Sequence, residues 1–434
     1  MFRMLMTSGL LAVLCLSSVQ ADEKVADIDE EATHSQSRTI EIQQSPQDKM
    51  QVNAFCLNTQ GEILAAVGNG PGEIRVLNDQ GKLLRSWEIS VKPEAINTTA
   101  DGKILVGGQG KLFQFSADGK VRIEVDAPHA ESLRKNTEAL REEAIAYLEQ
   151  TKNMNSGNSL KSRIGTYEGI IAQLEKKGEK EELSQQETQL LKALPAVLEG
   201  WKTQLAEQEK TEEQSDENTT EKKHEGPSEQ AIAAQVDRMM MSKMRVASIS
   251  TDGESIFVAT PALKGYGFAV WKLNQAMNEG TEIVTGLSGC CGQMDVQACK
   301  NGLYVAENSR KRVVRYDSKG GEIGQWGKAD RTGLDGFTSC CNPMNVCFNK
   351  NGDVFTAESN TGRIKRFSED GEFLNFVGDV KLVPGCKNVS IAVTPDHSRV
   401  YMLDLTRNHI VVMEQKPEES TKEDVSAAVS TNEK

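Results

Sequence analysis

Histidine is scarce in this sequence, and the few histidines do not cluster. The chain of 434 residues has five, which are His34, His129, His224, His397 and His409. A histidine-based catalytic or metal centre needs several imidazoles brought together by the fold, so this scatter disfavours one. The sequence also lacks a nucleophile elbow and a P-loop. No catalytic residue is therefore predicted.

Excess positive charge and long apolar runs are missing as well. There are 50 basic and 63 acidic residues, which gives a formal net charge of −13. A nucleic-acid partner would require a basic stripe, so none is expected. No apolar stretch reaches the length that a transmembrane helix needs, and we expect a soluble protein.

The first 21 residues have the pattern of a secretory signal peptide. Arg3 supplies the positive end, Leu10–Leu16 the apolar run, and Val19–Ala21 a cleavage site of small residues. The run is too short to span a bilayer, and a lipoprotein site at Cys15 fits less well because Leu14 is too large. The sequence therefore predicts export to the periplasm or the extracellular space.

One cysteine pattern occurs twice, 50 residues apart, as Cys290-Cys291-Gly292-Gln293-Met294 and Cys340-Cys341-Asn342-Pro343-Met344. Each copy opens a longer unit with a turn glycine, Gly302 or Gly352, after its first strand. Self-similarity at a period of 20–50 residues is typical of a repeat architecture. Four short strands in each unit predict propeller blades in an all-β fold.

Six such units begin near residues 50, 91, 244, 292, 342 and 387, which predicts a six-bladed β-propeller. Two blades fall within 38–128 and four within 244–414. The last unit has only three strands before the polar tail 415–434, which is predicted to be disordered. Arg38–Gln43 is a spare alternating strand, and we expect it to complete the last blade and close the ring.

The units resemble NHL repeats and TolB-like six-bladed propellers. The resemblance rests mainly on Leu303–Asn308 and Val354–Asn360, each followed by an arginine and apolar residues. Glu307 and Glu358 stand where the repeat usually has aspartate. The resemblance is strong in these two blades and weaker in the other four. It implies a fold and a binding habit rather than one activity.

A different pattern interrupts the repeats at residues 129–243. Apolar residues recur there at helical spacing, with breaks at Gly157 and Gly178, which predicts two or three antiparallel, coiled-coil-like helices between blades 2 and 3. Pro195 should kink the third helix or mark its start. Residues 207–228 are acidic and polar with almost no apolar side chain, and they are predicted to be disordered.

The cysteines are the main candidates for a site. Cys291, Cys341 and Cys386 lie at the same position of successive units, where the chain enters the innermost strand, and Cys290 and Cys340 lie beside them. Eight cysteines remain after the signal peptide, and an even number in an exported protein favours disulfides. The alternative is a soft-metal site for Cu(I), Zn²⁺ or an iron–sulfur cluster. A redox-active dithiol is a third interpretation, and simple burial is a fourth.

Other side chains near the same position of the repeat could contribute to such a site. Met294 and Met344 follow the doublets and are auxiliary soft ligands in the metal interpretation. Asp295, Asn345 and Ser390 lie at the channel mouth, where lactonase-type propellers hold Ca²⁺. Two oxygen ligands do not make a calcium site, and hydrogen bonds to the backbone at the strand start are the plainer interpretation.

Acidic and amide residues late in each repeat have a similar structural interpretation. Glu307 and Asn308 with Arg312, and Glu358 and Asn360 with Arg363, are expected to form hydrogen bonds and ion pairs inside their repeats.

The sequence thus predicts an exported propeller that binds a small ligand or a protein partner on one face. The helical insertion would be an arm for a partner or for self-association. The alternatives are a cysteine-based metal-binding or redox protein, with Cu, Zn or Fe–S as its cofactor, and a calcium-dependent lactonase or hydrolase. A cofactor-free binding scaffold is favoured over an enzyme.

Overall fold

The computed structural model describes residues 32–45, 47–154, 157–179, 183, 185–213, 226–330, 336–338, 341–383, 385 and 387–417. The chain divides into two compact units. One is built around residues 136–240, and the other from the segments on either side of them.

The larger unit contains six antiparallel sheets of four strands. The first two sheets are formed by β2 (Val52–Leu57), β3 (Ile63–Val67), β4 (Gly72–Leu77) and β5 (Leu83–Ile89), and by β6 (Ala95–Thr98), β7 (Ile104–Gly108), β8 (Lys111–Phe115) and β9 (Val121–Asp126). The third and fourth are formed by β10 (Ser248–Thr251), β11 (Ile256–Pro261), β12 (Phe268–Leu273) and β13 (Gly280–Leu287), and by β14 (Asp295–Cys299), β15 (Gly302–Glu307), β16 (Arg312–Tyr316) and β17 (Glu322–Trp326).

The fifth sheet is formed by β18 (Asn345–Phe348), β19 (Val354–Ala357), β20 (Arg363–Phe367) and β21 (Phe373–Asp379). The sixth combines β22 (Ile391–Val393), β23 (Arg399–Asp404) and β24 (His409–Gln415) with β1 (His34–Glu41) from the other end of the chain. The predicted closing strand therefore occurs, and it begins four residues earlier than the sequence pattern indicated.

The six sheets are the blades of a propeller. Their innermost strands contact one another in the order β2, β6, β10, β14, β18 and β22, and β22 contacts β2 again. The pairing of β1 with β24 runs from His34 opposite Gln415 to Glu41 opposite His409. Closure of both the ring and its last sheet leaves few exposed strand edges.

The hydrophobic core lies between neighbouring blades. One cluster joins Leu64 of blade 1 to Ile96 and Val106 of blade 2. Every residue of Ile63–Val67 is buried, because both faces of this strand are covered. Such strands read as continuous apolar runs rather than alternating ones. Full burial of each large aliphatic side chain contributes roughly 1.5–3 kcal/mol.

The outer strand of a blade also packs on a turn of the next blade. At three blade junctions its side chain lies against a turn glycine with positive φ, where an added Cβ would clash with that side chain. The pairs are Ile40 with Gly81, Trp87 with Gly119, and Trp326 with Gly371. These glycines are required both by the left-handed backbone and by the close approach.

The smaller unit is helical. Its helices are α2 (Thr137–Met154), α3 (Gly157–Gly178), α4 (Gln185–Glu213) and most of α5 (Glu229–Lys243). Ion pairs of Lys161 with Glu209 at 2.8 Å and of Lys177 with Glu187 at 2.7 Å show that α3 and α4 are antiparallel. No described helix combines the length and the apolar character that crossing a membrane requires.

Two details of the helical unit bear on the sequence prediction. Pro195 lies inside α4 and does not mark its start, because the helix begins at Gln185. The same helix continues to Glu213, which includes the first part of the stretch predicted to be disordered. Tyr167 and Trp201 pack edge to face at 4.9 Å between α3 and α4, and this contact supports the long helix.

A short helix, α1 (Pro128–Lys135), follows β9 and belongs to the propeller unit. His129 on α1 is completely buried, and its ring approaches the backbone of Lys243–Arg245, where the chain returns to the blades. Burial lowers the pKa of His129 to about 4, and the nearby backbone opposes this shift only in part. The ring is therefore neutral in the folded protein at neutral pH.

Candidate metal centre

Two cysteine loops precede the innermost strands of blades 4 and 5. Cys290 and Cys291 lie between β13 and β14, and Cys341 lies just before β18. Cys340 and Cys386, which were predicted to join them, lie outside the described residues. Because innermost strands begin at the same end of the channel, loops of adjacent blades are brought together there.

The Sγ atoms of these three cysteines form a compact triangle. The Sγ–Sγ distances are 3.5 Å for Cys290–Cys291, 3.5 Å for Cys291–Cys341 and 3.2 Å for Cys341–Cys290. Each exceeds the bond length of a disulfide, about 2.05 Å. Among the cysteines that the structure describes, no pair is at disulfide distance, so the favoured interpretation of the sequence is not seen for them.

The triangle faces solvent on one side. Cys341 is buried, Cys290 is partly buried and Cys291 is exposed. These three thiolates would hold a soft metal ion, with Cys291 on the solvent side.

The backbone after the first doublet has an unusual conformation. Cys291 and Gly292 both have positive φ, 57° and 69°. Left-handed backbone is uncommon for a residue with a side chain, and here it turns the exposed thiol back toward the second loop. The guanidinium of Arg245 lies directly over Gly292, where a Cβ would clash with it. Only glycine fits this position.

Asn308 fixes the first cysteine loop from the end of β15. Its Oδ1 accepts the backbone N–H of Cys290 at 2.7 Å. Its Nδ2 donates to the carbonyl of Gln293 at 3.2 Å and lies 3.3 Å from the Sδ of Met344. One buried amide therefore connects both sides of the loop to a thioether of the next blade, as is usual for groups that orient metal ligands.

The two predicted auxiliary methionines lie in different places. Met344 is fully buried in the cluster that contains Cys341, and Cys290 packs against the same cluster. Met294 is also fully buried, but it belongs to the core between blades 3 and 4. Both methionines are therefore core residues, and Met344 shares its cluster with Cys341.

The second cysteine loop rests on a buried ion pair. Lys365 Nζ lies 2.7 Å from Glu358 Oε1, and neither side chain is exposed. Lys365 also donates to the carbonyl of Gly336. Glu358 Oε2 accepts from Thr338 Oγ1 at 2.5 Å and from Asn342 Nδ2 at 3.3 Å. The pair thus fixes the described residues on both sides of Cys340, next to Cys341.

The repeat-internal interactions follow the prediction only in part. Glu307 accepts from the backbone N–H of Ser288 at 2.8 Å and pairs with Arg312 at 2.6 Å. In the next blade the pattern changes, because Glu358 pairs with Lys365 instead of Arg363. The Arg363 guanidinium lies 3.9 Å from Asp379. The two repeats stabilise their loops with different cations.

The predicted channel-mouth residues begin their strands and bridge neighbouring blades. Asp295 accepts from Ser248 Oγ at 3.0 Å and from the backbone N–H of Val346 at 2.8 Å. Asn345 Oδ1 accepts the N–H of Ile391 at 3.0 Å. Burial raises the pKa of Asp295 to about 6, although these hydrogen bonds oppose the shift. The carboxylate is thus engaged with protein donors from blades 3 and 5, a structural role.

The remaining described cysteines are separate from the triangle. Cys56 and Cys347 line the channel, and Cys299 ends β14. Burial raises the thiol pKa of all three, which keeps them protonated and poor as ligands or nucleophiles.

Comparison with known proteins does not assign this chain to a family. No family model matches the sequence, and no curated protein is similar to it. Among solved structures, the chain is similar to virginiamycin B lyase from Staphylococcus aureus (10% identity, 86% of this chain and 83% of that one, TM-score 0.42) and to a gluconolactonase from Xanthomonas campestris (10%, 87% and 88%, 0.42).

A third similar structure is the β-propeller domain of Swd1 from Myceliophteria thermophila, with 11% identity, coverage of 88% and 100%, and a TM-score of 0.41. TM-scores this low carry no inference about activity. The strand order of the chain itself establishes a β-propeller, and the narrower resemblance to NHL repeats stays a prediction.

Two residues of the site were not singled out from the sequence. Lys365 occupies the position that Val314 has in the preceding repeat, so the replacement of an apolar residue by a lysine was the available signal. Arg245 stands between the helical insertion and β10 and belongs to no motif. Only the folded structure places it beside Gly292.

Proposed function

We propose that this protein is an exported propeller that binds a soft metal ion, Cu(I) in first place, through the thiolates of Cys290, Cys291 and Cys341. The observation that carries the proposal is the triangle of Sγ atoms, with distances of 3.2–3.5 Å across two blades. The three donors form a group in which all ligand atoms lie within 4.8 Å of one another.

The donor set favours a soft ion. Among the described residues, the group contains no histidine or carboxylate, and Met344 is buried in the same cluster as Cys341. Thiolate and thioether ligands select Cu(I), zinc or iron–sulfur clusters. From these ions we propose Cu(I) first, with zinc as the alternative that the titration distinguishes.

The burial gradient supports binding and release rather than a permanent structural role. Cys341 is buried and Cys291 is exposed. An ion would reach the triangle from the Cys291 side, where an incoming ligand can also approach it. The protein would then hold or deliver a metal, with no chemical step required of the propeller.

The test is anaerobic titration of the reduced, metal-free mature protein with Cu(I) against a competing chelator. We expect one strongly bound ion per chain and ultraviolet absorption from thiolate-to-copper charge transfer. Cys341→Ala and Cys291→Ala should each weaken binding by at least tenfold, and Cys299→Ala should not. Equal affinity in Cys341→Ala and in the unchanged protein would refute the site. If the protein bound Zn²⁺ and did not respond to Cu(I), the site would be a zinc site instead.

The helical unit is the proposed partner or self-association arm. Its long α3–α4 hairpin, whose ends are joined by ion pairs, is larger than blade connection requires. Deleting residues 137–240 and comparing oligomeric state by light scattering tests this role. An unchanged assembly state and unchanged partners would remove it, while Cu(I) binding should persist in the deleted protein.

A further inference from the structure

The propeller channel contains a cavity of about 270 Å³ inside the ring of innermost strands. Small-molecule sites usually measure about 300–1,000 Å³, so a cavity just below this range suits a small metabolite rather than a peptide. Its lining is mostly polar and includes Asn53, Asn97, Gln297, Asn345, Asn388 and Ser390. The lining also includes Gln293, two residues after Cys291, so the cavity reaches the cysteine end of the channel.

Arg245 is the one basic residue in this lining. Its nearest described carboxylate is Glu94, with Arg245 Nε 3.8 Å from Oε1, beyond hydrogen-bond distance. The other oxygen of Glu94 accepts the backbone N–H groups of Val246 at 3.0 Å and Gln109 at 3.1 Å. Among the described residues, no acceptor takes the terminal N–H groups of Arg245.

Two further donors face the same cavity. Asn345 and Ser390 are more than nine-tenths buried, with 8% and 9% exposure, and both line the cavity. Asn345 uses its Oδ1 for the N–H of Ile391, and its Nδ2 has no acceptor among the described residues. The Ser390 hydroxyl likewise has no described partner. Both groups are accessible from the cavity, where water or a ligand can accept their hydrogen bonds.

Two carboxylates line the cavity, Glu94 and Asp295, and both are already engaged. Glu94 accepts from the backbone of Val246 and Gln109, and Asp295 accepts from Ser248, Gln297 and the backbone of Val346. Arg245 therefore has donors to spare, while both carboxylates are hydrogen bonded to protein groups. An arginine fork with free N–H groups matches the paired oxygens of a carboxylate or a phosphate.

From this arrangement we propose a second site, in the channel, for a small anion bearing a carboxylate or phosphate group. The anionic group binds the fork of Arg245, and the Asn345 amide and the Ser390 hydroxyl donate to the rest of the ligand. Because Arg245 lies over Gly292, the bound anion lies beside the cysteine triangle. The site stands on its own lining and does not require the metal.

The experiment is isothermal titration of the reduced, metal-free mature protein with inorganic phosphate, citrate and acetate as separate probes. At least one probe should bind with one-to-one stoichiometry. Arg245→Gln should weaken binding by tenfold or more, and Arg245→Lys should weaken it less, because the charge remains without the fork. The control is Arg122→Gln, which changes an exposed arginine on β9.

The outcomes separate the two sites. Cys341→Ala should lose Cu(I) binding and keep its affinity for the anion. Arg245→Gln should lose anion binding and keep its affinity for Cu(I). Binding of phosphate alone would identify the anionic group of the ligand as a phosphate. Binding of citrate and acetate alone would identify it as a carboxylate. Anion affinity that is equal in Arg245→Gln and Arg122→Gln overturns the proposal, and so does the absence of binding by all three probes.

Discussion

The buried pair of Lys365 and Glu358 makes a quantitative prediction. Lys365→Met removes the cation and leaves a carboxylate with zero exposure beneath the second cysteine loop. Loss of one partner of a buried ion pair costs about 3–5 kcal/mol, because the remaining charge is uncompensated. The unfolding entropy is about 2.1 cal/mol/K per residue, so each kcal/mol shifts the midpoint of a propeller of roughly 300 residues by about 1.6 °C. We therefore expect the melting temperature of the propeller to fall by about 5 °C or more.

A second variant isolates the cause. Glu358→Gln combined with Lys365→Met removes both charges, while the glutamine can still accept from Thr338 and Asn342. The aligned position in the preceding blade is Val314, buried in an apolar cluster, so the fold accommodates an apolar residue there. The double variant should recover most of the lost stability.

The assay is thermal unfolding followed by circular dichroism at the strand band, with Lys319→Met as the control because Lys319 is exposed in a turn. Cu(I) affinity should fall together with stability in the single variant, since the pair supports the loop of Cys341. A change below about 1 kcal/mol, which is the range of surface ion pairs, would refute the reasoning. A double variant no more stable than the single one would also refute it.

His129→Met should remove an acid sensitivity of the propeller: the pKa of His129 is about 4 in the folded protein and about 6.5 in an unfolded chain. The unfolded state binds the extra proton between these values, so wild type should lose up to about 3 kcal/mol relative to the variant as pH falls from 6.5 to 4. Parallel stability curves would contradict this. Pro195→Ala should stabilise the helical unit by up to about 3 kcal/mol, since proline costs this much inside a helix; an unchanged helix melting curve would show that α4 accommodates the ring. Asn308→Ala should weaken Cu(I) binding tenfold or more, because Cys290 N–H loses its acceptor. The exposed Asn278→Ala is its control, and equal affinity in the two variants would exclude a positioning role.

Much of the propeller could be predicted from local pattern. The turn glycines, the unbroken apolar runs of the middle strands and the spare strand near residue 38 each report a local backbone requirement. The ring follows once six such units are counted. The six four-stranded sheets and the closing strand β1 confirm that part of the prediction.

The chemistry of the cysteines could not be predicted in the same way. The number of cysteines is even, but a number says nothing about the distances between their sulfur atoms. The Sγ triangle depends on how two loops from neighbouring blades meet. The roles of Lys365 and Arg245 are likewise set by contacts with other segments, at Glu358 and Gly292. Helix α4 continues through Pro195 because packing against α3 outweighs the local penalty.

The closing pair of strands has a consequence for biosynthesis. Ser37 on β1 hydrogen bonds to the carbonyl of Val412 on β24, 375 residues later in the chain. Strand β1 therefore stays without its partner until synthesis has passed β24. Any chain that stops before His409 has an unfinished last blade and an exposed edge at β23, which promotes aggregation and proteolysis. Closure of the ring thus depends on the last strand of the propeller to be synthesised.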